Sequence, residues 1–278
     1  MLGSDVGTAL SEAKLPWVGT GREVDVTDWS AVERFAQSRQ LSAIVNCAAY
    51  TAVDRAEDEP EAAARLNVDA ARNLARQARS AQIPLVHIST DYVFAGMAER
   101  PYSEDDPVAP GGVYATTKEA GERAVREACD QHYILRTAWL YGAHGKNFVD
   151  TMLGLMNQRD SLGVVADQFG APTWTVDLAR IIVQLLQRSG PWGTYHTSAE
   201  GQCSWYDFAQ EIYDVGQESG QIIKGKIVAI APLTTGQYPT KARRPAWSVL
   251  SKAKLEQTFG LKFPPWRDSL RAYLQGKQ

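Results

Sequence analysis

A chain of 278 residues suffices for one large domain, or for a main domain with a smaller lobe, and 44% hydrophobic and 22% charged residues are ordinary for a globular protein. A net charge of −3 gives no broad attraction to nucleic acid. No apolar run approaches the ~20 residues that a membrane helix needs, and no basic-plus-apolar leader opens the chain. The three cysteines (Cys47, Cys129, Cys203) lack metal-type spacing, so a reducing cytoplasm is the expected location.

The segment from Met1 to Leu10 has the character of the first turns of a helix. Leu15–Val18 follows as a strand candidate, then Gly19-Thr20-Gly21, with Val24 where a third glycine of a phosphate-binding turn would stand. Further strand candidates are Ala43–Ala48, Pro84–Ser89 and Tyr133–Ala138; helix candidates are Ser30–Gln40, Pro60–Ala81 and Val113–Ala128. Short β-type runs separated by long helices imply crossover connections and a doubly wound parallel α/β sheet. Beyond residue 142 proline and glycine punctuate shorter elements, which reads as a smaller lobe, 143–278, wrapped around the first with some return to it.

Two segments carry chemistry. Ile88-Ser-Thr-Asp-Tyr-Val-Phe94 places two hydroxyls where an apolar strand runs out, the edge at which open α/β sheets bind ligands. Val113-Tyr-Ala-Thr-Thr-Lys118 puts Tyr114 and Lys118 on one helix face, one turn apart. A hydroxyl, a phenol and an ammonium around one carbonyl oxygen are what hydride addition needs: the hydroxyl positions the carbonyl, the phenol supplies a proton, and the ammonium lowers the phenol's pKa. A second Tyr-x-x-x-Lys, Tyr273 to Lys277, lies in a polar tail and reads as solvated surface. The four histidines form no metal pattern, and the acidic stretch Asp54–Glu61 reads as a solvated turn and helix start.

In order along nearly its whole length the chain resembles the dTDP-4-dehydrorhamnose reductase family of the extended short-chain dehydrogenase/reductase superfamily. The resemblance rests on Ile44 to Glu57, Ser89 to Phe94, Tyr114 to Lys118, Arg136 to Gly142, Asp167 to Thr173, and Arg244-Pro245. It implies a dinucleotide-binding domain over 1–142 and mainly a substrate lobe beyond. It makes Thr90, Tyr114 and Lys118 the catalytic set. Met1, Leu2, Arg22, Asp25, Val26, Ala48, Ala49, Tyr50 and Ser89, with Tyr114 and Lys118, would bind cofactor. Thr90, Asp91, Tyr92, Trp139, Asn147, Gln168 and Arg244 would meet a dTDP-sugar. Some relatives hold magnesium between subunits, but nothing in this sequence identifies such a site; a homodimer is the protein partner the resemblance leaves open.

By the same resemblance the fold should begin with a strand and a glycine-rich turn. Gly3 looks like the last glycine of that turn, so the expectation is a sequence starting inside a longer reading frame. Arg22 stands where folds that prefer NAD place an acid on the ribose 2′-hydroxyl, and an arginine there suits a 2′-phosphate, favouring NADPH over NADH. The alternatives are another NDP-4-ketosugar reductase, or a non-catalytic subunit like the regulatory β subunit of methionine adenosyltransferase.

Overall fold

The computed structural model describes residues 1–188 and 190–277. Its first half runs through helices α1 (Leu2–Glu12) and α2 (Trp29–Gln37), strand β1 (Ile44–Asn46), short helices α3 (Val53–Ala56) and α4 (Pro60–Ala64), a π-helical turn (Arg65–Asp69), α5 (Ala70–Ala81), β2 (Leu85–Thr90), α6 (Val113–Ala128) and β3 (His132–Thr137). The remainder comprises β4 (Leu140–Tyr141), α7 (Phe148–Gln158), β5 (Ser161–Val165), β6 (Phe169–Gly170), β7 (Thr173–Trp174), α8 (Thr175–Leu186), β8 (Gly193–His196), β9 (Cys203–Ser204), α9 (Trp205–Glu218), β10 (Ala229–Leu233), α10 (Ala253–Phe259) and α11 (Trp266–Gln275).

Strands β1, β2, β3 and β8 pair in that order, all parallel, with Ile44 opposite Leu85, Ser89 opposite Arg136 and Leu135 opposite Tyr195. Alternation along the strands sends side chains to two apolar cores. Val86, Tyr133, Leu135 and Tyr195 meet α1 and α8 through Leu2, Val6, Leu178 and Ile182. Leu85 and Ile134 meet α5 and α6 through Leu74, Ala78 and Val125. Helices on both faces of a parallel sheet give the doubly wound α/β architecture expected from the sequence. A third core gathers Met156, Phe208, Trp266 and Leu270 from α7, α9 and α11. The chain does return: α8, β8 and Leu255 of α10 belong to the first core.

Three local expectations need correction. Leu15–Val18 is not a strand: Trp17 and Val18 are 51% and 50% exposed, and Asp25 and Val26, which the resemblance assigns to the cofactor, lie in a turn further on. Among the described residues nothing pairs with Leu15–Val18, and β1 stands as the sheet's edge, bonded to β2. The helix expected over Pro60–Ala81 is interrupted by the π-turn, which brings Asn67 against α6 so closely that a Cβ on Gly121 would sit 2.2 Å from the Asn67 carbonyl oxygen. Tyr273 is not solvated surface: it is buried, and its hydroxyl donates to Asp150 at 2.9 Å while Lys277 pairs with the same carboxylate.

Candidate active site

The site forms where β2 runs out under the first turn of α6. Gly112 enters that helix at φ 88°, a left-handed conformation that glycine adopts without strain. Glu57 then caps the helix, its carboxylate accepting from the Val113 amide at 2.8 Å. These contacts fix the register of the two side chains that follow, Tyr114 and Lys118. Asn67 adds a brace: its Nδ2 donates to Thr117 Oγ1 at 3.0 Å, and its Oδ1 accepts from the Tyr50 amide at 2.8 Å.

Thr90 is buried at the strand end, donating to Asp91 Oδ1 at 2.8 Å and accepting from the Tyr92 amide at 3.2 Å. The Tyr114 phenol lies near the Thr90 hydroxyl and meets the Tyr92 ring edge-on at 5.5 Å between centroids. Burial pushes the Tyr114 phenol up to about 12, the Thr90 hydroxyl opposing and the Asp91 charge adding to the rise. Lys118 is buried, with Nζ donating to the Ile88 carbonyl at 2.6 Å; burial brings its pKa down to about 8, with Glu122 opposing. The expectation that Lys118 lowers the Tyr114 pKa is therefore not met, because the ammonium is turned to a strand carbonyl and desolvation dominates the phenol. A raised pKa still suits a proton donor, which must hold its proton until charge develops on the acceptor.

The remaining residues fall into three groups. Ser89 turns its hydroxyl inward, donating to Glu122 Oε1 at 2.5 Å, and Asp91 is a buried carboxyl that burial raises to about 6, with Ser248 and Thr90 opposing. Tyr92 lines a groove with Phe94, Met97, Pro110, Arg243 and Pro245 beside Tyr114, and burial pushes its phenol well up. Trp139, at φ 48°, stacks on Trp205 at 3.5 Å, and a Cβ on Gly170 would lie 2.5 Å from its ring.

Three expected substrate contacts are engaged within the protein. Asn147 caps α7, accepting from the Asp150 amide at 3.0 Å and donating to the Gly142 carbonyl at 2.9 Å. Gln168 donates to Thr235 Oγ1 at 3.0 Å. Arg244 binds Asp54 through both terminal nitrogens. The Asp54–Glu61 stretch is accordingly more than a solvated turn: Asp54 holds Arg244, Glu57 caps α6, Asp58 pairs with Lys241, and Glu59 accepts from the Tyr50 hydroxyl at 2.7 Å.

Sequence reasoning missed Asn67, Glu57, Asp54 and Glu122 as parts of the site. For Glu122 a signal exists: with Lys118, Gly121 and Val125 it falls on the buried side of α6 at helical spacing, where an unpartnered acid is costly.

Tyr114 and Lys118 are the donors that would hold an NADPH nicotinamide ribose; both are buried in the fold, with the Lys118 ammonium on the Ile88 carbonyl. At the phosphate end, α1 starts at Leu2 with no side-chain cap on Met1, leaving positive helix-terminus dipole beside the end of β1. A Cβ on Gly3 would lie 3.6 Å from Cys47 Cβ, and Ala48 and Ala49 follow with minimal side chains. Arg22 is exposed in a turn; its neighbour Glu23 folds back onto the Gly21 amide at 2.6 Å instead of neutralising it. Asp25, also exposed, accepts from the Thr27 amide and hydroxyl. Among the described residues no group of three or more His, Cys, Asp or Glu gathers that could hold a metal ion.

The model of the RmlD substrate binding domain matches residues 1–278. The dTDP-4-dehydrorhamnose reductase of Sinorhizobium fredii is 42% identical over 234 residues, spanning 82% of this chain and 78% of that protein. The crystal structure of the reductase of the same name from Clostridium acetobutylicum matches with a TM-score of 0.93 at 40% identity, over 100% of this chain and 96% of that one. The Bacillus anthracis reductase, solved in complex with NADP, matches at 0.92 and 36% identity, over 98% of this chain and 94% of that one. With the strand-end hydroxyl, phenol and ammonium in place on a doubly wound sheet, these likenesses make the conclusion plain: the chain belongs to the RmlD family of dTDP-4-dehydrorhamnose reductases.

Proposed function

We propose that the chain reduces the C4 ketone of dTDP-4-dehydrorhamnose to give dTDP-L-rhamnose, with NADPH as reductant. The carrying observation is the meeting of Thr90, Tyr114 and Lys118 at the end of β2 in a chain of this family. Bound NADPH supplies the hydride. Tyr114 gives its phenolic proton to the ketone oxygen, and the neighbouring Thr90 hydroxyl, turning its proton from Asp91 Oδ1, supports the phenolate left behind. Lys118, anchored on the Ile88 carbonyl, holds the nicotinamide ribose and supplies positive charge to the same pocket.

On the sugar side we assign Tyr92 and Trp139 to the hexose and Arg244 to the diphosphate, with Arg22 on the cofactor 2′-phosphate. These assignments rest on the resemblance and on the groove that Tyr92, Arg243 and Pro245 line beside Tyr114. Among the described residues no helix is long and apolar enough to cross a membrane. Three free cysteines support a cytoplasmic place of action, and a second copy of the chain is the protein partner to test by sedimentation.

The test is NADPH oxidation by the purified chain with the 4-keto sugar generated in situ, the product being identified by mass and chromatography. Appearance of dTDP-L-rhamnose is the expected result. A folded chain that binds NADPH yet leaves this sugar and other 4-keto sugars unchanged would sink the enzyme reading in favour of a binding subunit.

A further inference from the structure

Beneath Lys118 lies a buried charge network that the proton and hydride transfers leave unused. Glu122, fully buried, stands one helical turn beyond Lys118 on α6. Its carboxylate accepts from Ser89 Oγ at 2.5 Å, from Arg136 Nε at 2.9 Å and Nη2 at 2.8 Å, and from Arg126 Nη1 at 3.1 Å. Burial alone would raise this carboxyl, but Arg136, Ser89 and Arg126 hold it down at about 2, so it is an anion at any working pH.

The contacts tie three elements at one point. Ser89 and Arg136 are register partners across β2 and β3, and both bind a residue of α6. Lys118 reaches the same place, since Ile88, whose carbonyl it binds, immediately precedes Ser89, and Thr90 follows. An ammonium so removed from water sheds its proton unless negative charge stands near.

The other charged and titratable groups around it do not meet that need. His87 on β2 and His196 on β8 are pushed down by burial and stay neutral, Tyr114 one turn earlier on α6 is pushed up and keeps its proton, and the Asp91 carboxyl beyond the strand end accepts from Thr90. Arg136 on β3 and Arg126 on α6 repel an ammonium. Glu119 on α6 is taken up by Arg123 at 3.2 Å and lies 4.0 Å from Arg126. Glu122 is the anion whose field opposes the loss of the Lys118 proton.

We propose that Glu122 is a positioning residue of this active site: the buried carboxylate that keeps Lys118 charged and, through Ser89, ties it to the strand end carrying Thr90. The consequence for turnover rests on the reductase reading above, but the charge on Lys118 can be measured without turnover.

The experiment labels the full chain with lysine carrying carbon-13 at Cε and follows Lys118 by NMR against pH, with Lys118→Arg identifying its signal. In the unaltered chain the midpoint falls at about 8. Glu122→Gln lowers it by about one pH unit, Glu122→Asp restores it, and Arg126→Gln, which removes a competing cation, raises it. The basic limb of kcat/KM moves the same way in each variant. A merely structural role would lower the melting temperature and leave the midpoint where it was. Should Glu122→Gln fail to fold, the double variant Glu122→Gln with Arg126→Gln, which removes the acid together with a partner 37% exposed, carries the test, and the midpoint falls there as well. Midpoints unmoved in the folded variants overturn the proposal, whether or not the protein is active. Shifted midpoints in a chain that turns over no 4-keto sugar would uphold the role of Glu122 and sink the reductase reading instead.

Discussion

Arg244 closes on Asp54 with two donors, Nη1 to Oδ1 at 3.0 Å and Nη2 to Oδ2 at 2.6 Å, joining residues 190 positions apart. The Ala242 amide donates to the same carboxylate at 3.0 Å, and Lys241 pairs with Asp58. The segment that would cover a nucleotide diphosphate is thus strapped to α3, and the Asp54 carboxylate is held low chiefly by its bond to Arg244.

Asp54→Asn tests whether that strap pre-orders Arg244. A half-exposed pair contributes on the order of 1 kcal/mol, and a loosened loop must be re-ordered by the ligand. The KM for the nucleotide sugar should rise about 5-fold, equivalent to ~1 kcal/mol, while kcat changes less than about 2-fold. Initial-rate kinetics at saturating NADPH decide it; a lower KM would mean that Asp54 competes with the diphosphate for Arg244.

Tyr114→Phe removes the proton donor while the ring keeps its edge-on contact with Tyr92 and Lys118 remains to hold the cofactor. A positioned acid contributes about 10²- to 10⁴-fold, so kcat should fall by that order with NADPH affinity within a factor of about two. Fluorescence titration of NADPH beside steady-state rates separates the two effects. A loss of less than about 10-fold would move the proton source elsewhere.

Much of this site is legible before any fold is known, because local rules decide it. Helix α6 runs over Val113–Ala128 as its amphipathic pattern predicts, and it delivers Tyr114 and Lys118 together. What escapes is what depends on partners. Leu15–Val18 has strand-like residues but no ladder to join, and Pro60–Ala81 has unbroken helical periodicity although Asn67 bulges to meet Gly121. Asp54 and Glu57 resemble a solvated acidic run until the chain brings Arg244 and the start of α6 to them. Asn147 looks like a ligand residue in sequence, whereas its cap on α7 uses its amide in full view of the backbone.

Acid sensitivity should trace to His196. Burial pushes its imidazole down to about 3, and Nδ1 lies 3.2 Å from the Ser251 carbonyl oxygen. The folded state holds it neutral while the unfolded chain takes up a proton below its ordinary pKa of about 6.5. Its contribution is therefore present above pH ~6.5 and lost as pH falls toward about 3, on the order of 1 kcal/mol per pH unit. His87 acts with the same sign, whereas Asp91, raised to about 6, gives relief on acidification. His196→Gln isolates the first contribution. Urea midpoints measured from pH 7 to 4 should fall less steeply in the variant than in the parent chain, and parallel slopes would remove His196 as the cause.

Cofactor choice should hinge on Arg22. It is exposed and, among the described residues, enters no ion pair, because Glu23 is occupied by the Gly21 amide. A free guanidinium at this turn can take a 2′-phosphate bidentately, which an ammonium or a neutral side chain cannot do. Arg22→Ala should raise the KM for NADPH by about 10-fold, equivalent to ~1.4 kcal/mol, because the contact lies near solvent and is screened. The KM for NADH, which lacks that phosphate, should stay within about 2-fold, and kcat with either reductant should hold because Arg22 lies outside the Thr90–Tyr114–Lys118 cluster. Added salt separates charge from shape: in the parent chain raised ionic strength should narrow the gap between the two reductants, and in Arg22→Ala it should change little. Equal loss for NADPH and NADH in the variant would assign Arg22 to the fold of the turn instead of to the phosphate.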